Sequence, residues 1–277
     1  MDLDKQFFEN HPQAFESLSS LFKYMPAISS QTKDTRYIED ILIGKRLYHA
    51  APSEFNDPFE CKPHFSRSSK NFNPAAARKF LDYAYRKSKK KKERNKLVSE
   101  YMNSPVRIEN LVESAINMWK DLPRICSFTC DQVNILFWSH YANSHTGICI
   151  EFDAQIEPIS NAMKVHYSDK YPEFTFPPSD KNIVGFLTKS NDWAYESEYR
   201  SIKLSNSKNE RLKVINDRFV TLDDLNIIKS IYFGANIEKE TKIKILEIIE
   251  KSDFSPKVYQ MYLSRDSFNL FYVEVKQ

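Results

Sequence analysis

Only four glycines in 277 residues is the feature that most restricts what this chain can become. Gly44, Gly147, Gly185 and Gly234 are far apart in sequence. Neither a G-x-G-x-x-G turn nor a G-x-x-x-x-G-K-[ST] loop can be written with them. The Rossmann turn and the P-loop are therefore both excluded, because each needs glycines where backbone meets phosphate. Any nucleotide bound here is held by other means. The residues are 41% hydrophobic and 14% aromatic, enough for a sizeable core in one large domain or two tight ones.

Charge is unevenly spread. The net charge is +3, yet Arg86 to Lys96 (RKSKKKKERNK) holds eight cations and one acid, Glu93. A charge run is usually a solvated face, but this density is also the footprint of phosphate contacts. Lys89, Lys90, Lys91, Lys92 and Arg94 are the candidate nucleic-acid contacts, with Tyr83, Tyr85 and Tyr101 near enough to stack on bases. An acidic protein such as an antitoxin is the other partner this run suits. No apolar run is long enough to span a bilayer, and the start, MDLDKQFFENHPQ, lacks the order of a signal peptide. Cys61, Cys126, Cys130 and Cys149 read as reduced thiols, and a cytoplasmic location is expected. No second Cys pair stands at zinc spacing, so no metal site is expected.

The pattern of elements is α+β. Residues 1–30 read as a helical lead-in. Asp34 is placed to cap a helix through Ile43, with Gly44 as its stop, and a short strand covers Arg46 to Ala51. Pro52 to Pro58 is turn chemistry. Residues 74–122 read as helices carrying the basic run, an insert in a single domain of residues 1–277. Ile125 to Thr129 is a strand, and Asp131 is placed to cap a helix from Val133 to Asn143. Ile148 to Phe152 has the near-continuous apolar pattern of a buried strand. Met163 to Tyr167 alternates as a strand, and Lys181 to Ser190 reads as helix. Strand Tyr199–Leu204, strand Ile231–Phe233, helix Glu238–Glu250 and strands Lys257–Tyr262 and Phe268–Val275 complete the chain.

Trp193-Ala194-Tyr195-Glu196-Ser197-Glu198-Tyr199-Arg200 is the densest chemical segment. On a strand, Glu196, Glu198 and Arg200 share a face. Two carboxylates beside a cation and framed by rings suit a site where positive charge develops. An ordinary ion pair at a strand edge is the structural alternative.

This motif is the last of three in order. FNDPFE at 55–60 comes first, then N-x-L-x-W-S-H-Y-A-x-S-H-x-G-x-C-I-x-F at 134–152, then W-x-Y-E-x-E-Y-R at 193–200. Together they resemble a bacterial and phage-defence domain family of unknown function, over roughly residues 35–275. More loosely, the chain resembles ADP-ribosyltransferases. Tyr48-His49 is similar to their first strand, Ser127-Phe128-Thr129 with Tyr141 to their middle segment, and Glu196-x-Glu198 to their late strand.

That resemblance implies a short-stranded mixed sheet of ADP-ribosyltransferase type with inserted helices. It also implies NAD as substrate and a toxin or antiviral-defence role, with RNA or DNA among the acceptors. Glu198 is then the catalytic carboxylate and Glu196 orients the acceptor. His49 and Tyr141 hold NAD and Tyr141 or Trp138 stacks on nicotinamide, with Ser127, Thr129 and Asn56 completing the cofactor set. The chemistry suits these residue types, because a fixed carboxylate stabilises an oxocarbenium-like ribose more than the ground state. Two other readings stay open. One is a nuclease with Asp57, Glu60, Glu196 and Glu198 as Mg²⁺ ligands. The other is a non-enzymatic binding module.

Overall fold

Short strands whose side chains alternate between two packed faces build the central sheet. In chain order the strands are β1 (Ser20–Met25), β2 (Arg46–Tyr48), β3 (Pro123–Thr129), β4 (Ile148–Asp153), β5 (Met163–Lys164), β6 (His166–Tyr167), β7 (Thr188–Lys189), β8 (Glu198–Leu204), β9 (Phe219–Thr221), β10 (Ile228–Phe233), β11 (Lys257–Leu263) and β12 (Leu270–Glu274). The helices are α1 (Arg36–Leu42), α2 (Pro74–Ala84), α3 (Lys91–Asn103), α4 (Pro105–Lys120), α5 (Ile135–His140) and α6 (Lys239–Lys251). This computed structural model describes residues 18–28, 34–65, 72–204 and 217–276. It divides into a unit holding residues 51–123 and 166–193 and a second holding 18–50, 124–165 and 194 onward.

The second unit carries an eight-stranded sheet in the order β12-β11-β10-β4-β1-β3-β8-β5. It is mixed: β10 and β11 pair in parallel, whereas β1 with β4, β4 with β10 and β11 with β12 are antiparallel. β2 and β9 form a separate antiparallel pair. One sheet face buries Leu21, Phe128, Ile148, Ile150, Phe152 and Ile231. Onto this apolar face pack Ile38, Ile41 and Leu42 of α1 and Ile245, Ile248 and Ile249 of α6. Strand alternation sends Phe22, Tyr24, Cys149 and Tyr232 to the opposite, more aromatic face. There Phe137 and Trp138 of α5 lie about a ring's width from Tyr24, with centroids 5.0 and 5.1 Å away.

The first unit is mostly helical. Asn73 and Ser104 cap α2 and α4 through side-chain oxygens, and a proline opens each helix. Ala77, Leu81, Val98, Ile108, Val112 and Trp119 are the buried helix positions. Trp119 stacks on Phe186 at 5.8 Å. β6 and β7 form a short parallel pair.

Several local expectations are corrected. Residues 20–25 are a strand, not part of a helix, because SLFKYM alternates between two buried faces; residues 1–17 of the expected lead-in lie outside the described residues. Gly44 is not the left-handed stop of α1; Lys45 takes that backbone, at φ 46°. The cap of α5 is Asn134, whose Oδ1 accepts from the N–H groups of Leu136 and Phe137, and the helix runs 135–140. Asp131 accepts from Val133 just before it. Met163 to Tyr167 is two strands in two sheets, and Lys181 to Ser190 is a 3-10 turn followed by β7. The last strand begins at Leu270 rather than Phe268.

Candidate functional site

Glu196 and Glu198 do not share a strand face, contrary to the sequence expectation. Glu196 ends a 3-10 turn (Asn191–Glu196), Ser197 turns left-handed at φ 44°, and β8 begins at Glu198. The left-handed residue breaks the two-residue alternation. The two carboxylates consequently sit in different surroundings.

Glu196 is buried, at 2% exposure. The Tyr141 hydroxyl donates to its Oε1 at 2.6 Å, a short, strong bond. Thr129, at the end of β3, donates from Oγ1 to the Glu196 carbonyl at 2.7 Å and so fixes the backbone. Burial, and after it the Glu196 carboxyl, pushes the Tyr141 phenol well above its usual value. Tyr141 itself is only partly buried. Phe137 and Tyr195 flank the ring system, with centroids 5.2 Å from Tyr141 to Phe137 and 6.4 Å from Phe137 to Tyr195.

Glu198 is clamped. Arg200 Nε and Nη2 donate to its two oxygens at 2.8 Å each, a fork geometry that holds both charges. Both residues are buried, Arg200 at 1% and Glu198 at 4%. Their shared side of β8 follows from strand alternation, which sends Tyr199 and Ser201 the other way.

His49 lies on that other side. Its Nδ1 donates to the Leu47 carbonyl at 3.2 Å, since a carbonyl only accepts, and Nε2 then accepts from Ser201 Oγ at 3.1 Å. Burial lowers its pKa to about 3, with the charges of Lys23 and Lys203 acting the same way. His49 is thus a neutral, sealed ring, and the structure does not bring it together with Tyr141, Glu196 and Glu198. Trp138 is fully buried, with Nε1 donating to the Gln132 carbonyl and its ring stacked on His145 at 6.3 Å. Ser127 is half-buried on β3, where its carbonyl accepts from Lys23 Nζ. Asn56 is exposed in the first unit.

The acids of the nuclease reading have other bonds. Asp57 accepts from the Phe59 N–H in a turn, and Glu60 pairs with Lys189 at 3.1 Å, both 4% exposed. Among the described residues no group of three or more His, Cys, Asp or Glu is placed to hold a metal ion.

Sequence reasoning missed a second carboxylate–tyrosine pair on the same aromatic face. Glu151 accepts from Ser20 Oγ at 2.7 Å and from the Tyr232 hydroxyl at 2.9 Å. Burial, then Glu151, raises the Tyr232 phenol. The available signal was one acid interrupting the apolar run ICIEF; its partners are distant in sequence and carry no local mark.

The molecule is therefore an α+β protein whose large mixed sheet carries part-buried acid–tyrosine pairs on one face. A family model described as a protein of unknown function (DUF2971) matches residues 137–201, from Phe137 of α5 to Ser201 of β8. The matched stretch holds Tyr141, Glu196, Glu198 and Arg200. No curated protein and no solved structure matches the chain. Among the described residues no helix is long and apolar enough to cross a membrane.

Proposed function

We propose that the chain is an ADP-ribosyltransferase that consumes NAD, with Glu196 as its reacting carboxylate. The observation that carries this reading is the Tyr141 hydroxyl on the buried Glu196 carboxyl at 2.6 Å. A carboxyl held this rigidly in a water-poor setting is suited to stabilise charge as it develops. When the bond between ribose C1′ and the nicotinamide nitrogen breaks, its electron pair leaves with nicotinamide and C1′ becomes cationic. An acceptor nucleophile then bonds to C1′ and loses its proton, which the Glu196 carboxylate takes. Tyr141 positions Glu196. Glu198, clamped by Arg200, keeps a fixed negative group two residues away and holds the start of β8.

This reverses the roles that motif order alone implied for the two acids. His49 takes no part, since both its ring nitrogens are committed, to the Leu47 carbonyl and to Ser201 Oγ. The toxin or antiviral-defence setting belongs to the same reading, by resemblance.

The test is nicotinamide release, with transfer of labelled ADP-ribose to RNA, DNA or lysate protein. Wild type is expected to release nicotinamide, and Glu196→Gln to lose at least about a hundredfold, the scale for one catalytic group. Tyr141→Phe is expected to reduce the rate while leaving the melting curve close to wild type. Absence of any nicotinamide release by wild type, or full rate in Glu196→Gln, sinks the proposal.

A further inference from the structure

The helical unit presents its cations without neutralising them. Of the eight cations between Arg86 and Lys96, Arg94 is committed to structure: its Nε donates to Asp82 Oδ1 on α2 and its side chain is 13% exposed. The other seven, Arg86, Lys87, Lys89, Lys90, Lys91, Lys92 and Lys96, are all exposed. None of the seven makes an ion pair among the described residues, and the one acid in the stretch is Glu93.

This segment has a defined shape. The turn joining α2 to α3 is held by backbone bonds from Arg86 to Tyr83, Ser88 to Tyr85 and Lys89 to Tyr85. Lys90 is the N-cap of α3 without a side-chain cap, and Lys91 and Lys92 open the helix. Acids are the favoured residues there, since cations oppose the helix dipole. A fold that accepts three lysines at an unfavourable end, in a chain of net charge +3, concentrates positive potential at one place.

Aromatic rings adjoin it. Tyr83 stands 74% exposed one turn before the cations. Tyr85 and Tyr101 face each other across α2 and α3, with hydroxyls 3.4 Å and ring centroids 6.3 Å apart. Point-charge ammoniums beside an exposed ring match a flexible sugar–phosphate backbone with unstacked bases. A carboxylate-rich protein would use the charges but not the ring.

We infer that the α2–α3 turn is a binding surface for single-stranded nucleic acid, with Lys87, Lys89, Lys90, Lys91 and Lys92 contacting phosphates and Tyr83 stacking on a base. Arg94 is not a contact; it fixes α3 on α2. The surface is independent of any chemistry at Glu196, so each can fail alone.

The experiment is fluorescence anisotropy of labelled single-stranded RNA and DNA 20-mers, with duplex DNA and polyglutamate as the other probes, across a salt series. Wild type is expected to bind both single strands more tightly than duplex. Replacing Lys89, Lys90, Lys91 and Lys92 together with Ser is expected to reduce the slope of log affinity against log salt by about 3, given about 0.7 per neutralised phosphate. Tyr83→Ala is expected to weaken binding roughly fivefold or more, the lower end for one stacked base. Unchanged far-ultraviolet dichroism and melting of both variants show that folding is intact. Three results overturn the inference: no single-strand binding at about 50 mM salt, an unchanged salt slope in the lysine variant, or polyglutamate binding as tight as RNA and indifferent to Tyr83.

Discussion

Arg200→Met is the substitution that most directly separates a structural Glu198 from a catalytic one. The guanidinium donates to both Glu198 oxygens at 2.8 Å, and the two side chains are 1% and 5% exposed. Methionine fills similar space but removes the charge, leaving a carboxyl that water does not reach. Breaking a buried pair from one side costs about 3–5 kcal/mol, because the remaining charge is uncompensated. At roughly 2–4 °C per kcal/mol for a chain of about this size, the melting temperature should fall by about 6–20 °C. Glu198→Leu should cost a comparable amount. The double variant should lose far less than the sum, since replacing a buried pair by apolar groups is often near neutral. Thermal unfolding of the four proteins at pH 7, followed by dichroism, measures the cycle. If each single variant loses under about 1 kcal/mol, the pair behaves like an exposed one and the structural assignment of Glu198 is wrong. If the double variant is as damaged as the sum, the two residues act separately and the clamp is not what holds β8.

Two further outcomes follow from the geometry. His49 has a folded pKa of about 3 against 6.5 unfolded, so between those values the unfolded chain binds the extra proton and stability rises with pH. The His49 contribution is complete above about pH 6.5 and disappears as pH falls through that window, with a slope approaching about 1.4 kcal/mol per pH unit. His49→Gln should remove that slope, and an identical pH–stability profile in wild type and variant would falsify the sealed-ring assignment. Gly234→Ala drives a Cβ into the His145 carbonyl oxygen, a backbone atom that cannot yield cheaply, whereas Gly185→Ala meets nothing closer than 3.6 Å. The first should cost about 2 kcal/mol or more and the second should lie within about 0.5 kcal/mol of wild type. Equal stability of the two by urea unfolding would refute the close approach.

Legibility in the sequence followed how local each signal was. ICIEF reads as a buried strand because burial on both faces needs a nearly continuous apolar run, and it lies next to the centre of the sheet. Helix α6 and strands β10 and β11 were readable for similar reasons of period. β1 reads as helix because SLFKYM, closed by Pro26, spaces its polar Ser20 and Lys23 three residues apart, and those two find partners from other segments: Glu151, 131 residues on, and the Ser127 carbonyl, 104 residues on. The basic run was legible by composition. That Arg94 is withdrawn from it depends on Asp82, twelve residues earlier on another helix.

The site shows the same limit in its sharpest form. Glu-x-Glu-x-Arg looked like one face of one strand, and for Glu198 and Arg200 the two-residue period did hold. It failed between Glu196 and Glu198 because Ser197 takes a left-handed backbone that costs a non-glycine residue energy and carries no strong sequence mark. After that single dihedral the Glu196 carboxyl accepts from Tyr141 and the Glu198 carboxyl accepts from Arg200. Strain of this kind persists only where the surroundings over-determine it. Here they do, since Thr129 holds the Glu196 carbonyl on one side of Ser197 and Arg200 grips Glu198 on the other. Environment rather than residue type sets what each carboxyl can do, and the turn gives these two acids different surroundings. The different settings of Glu196 and Glu198 therefore rest on the turn at Ser197, which a reading of the motif as one uniform strand face does not foresee.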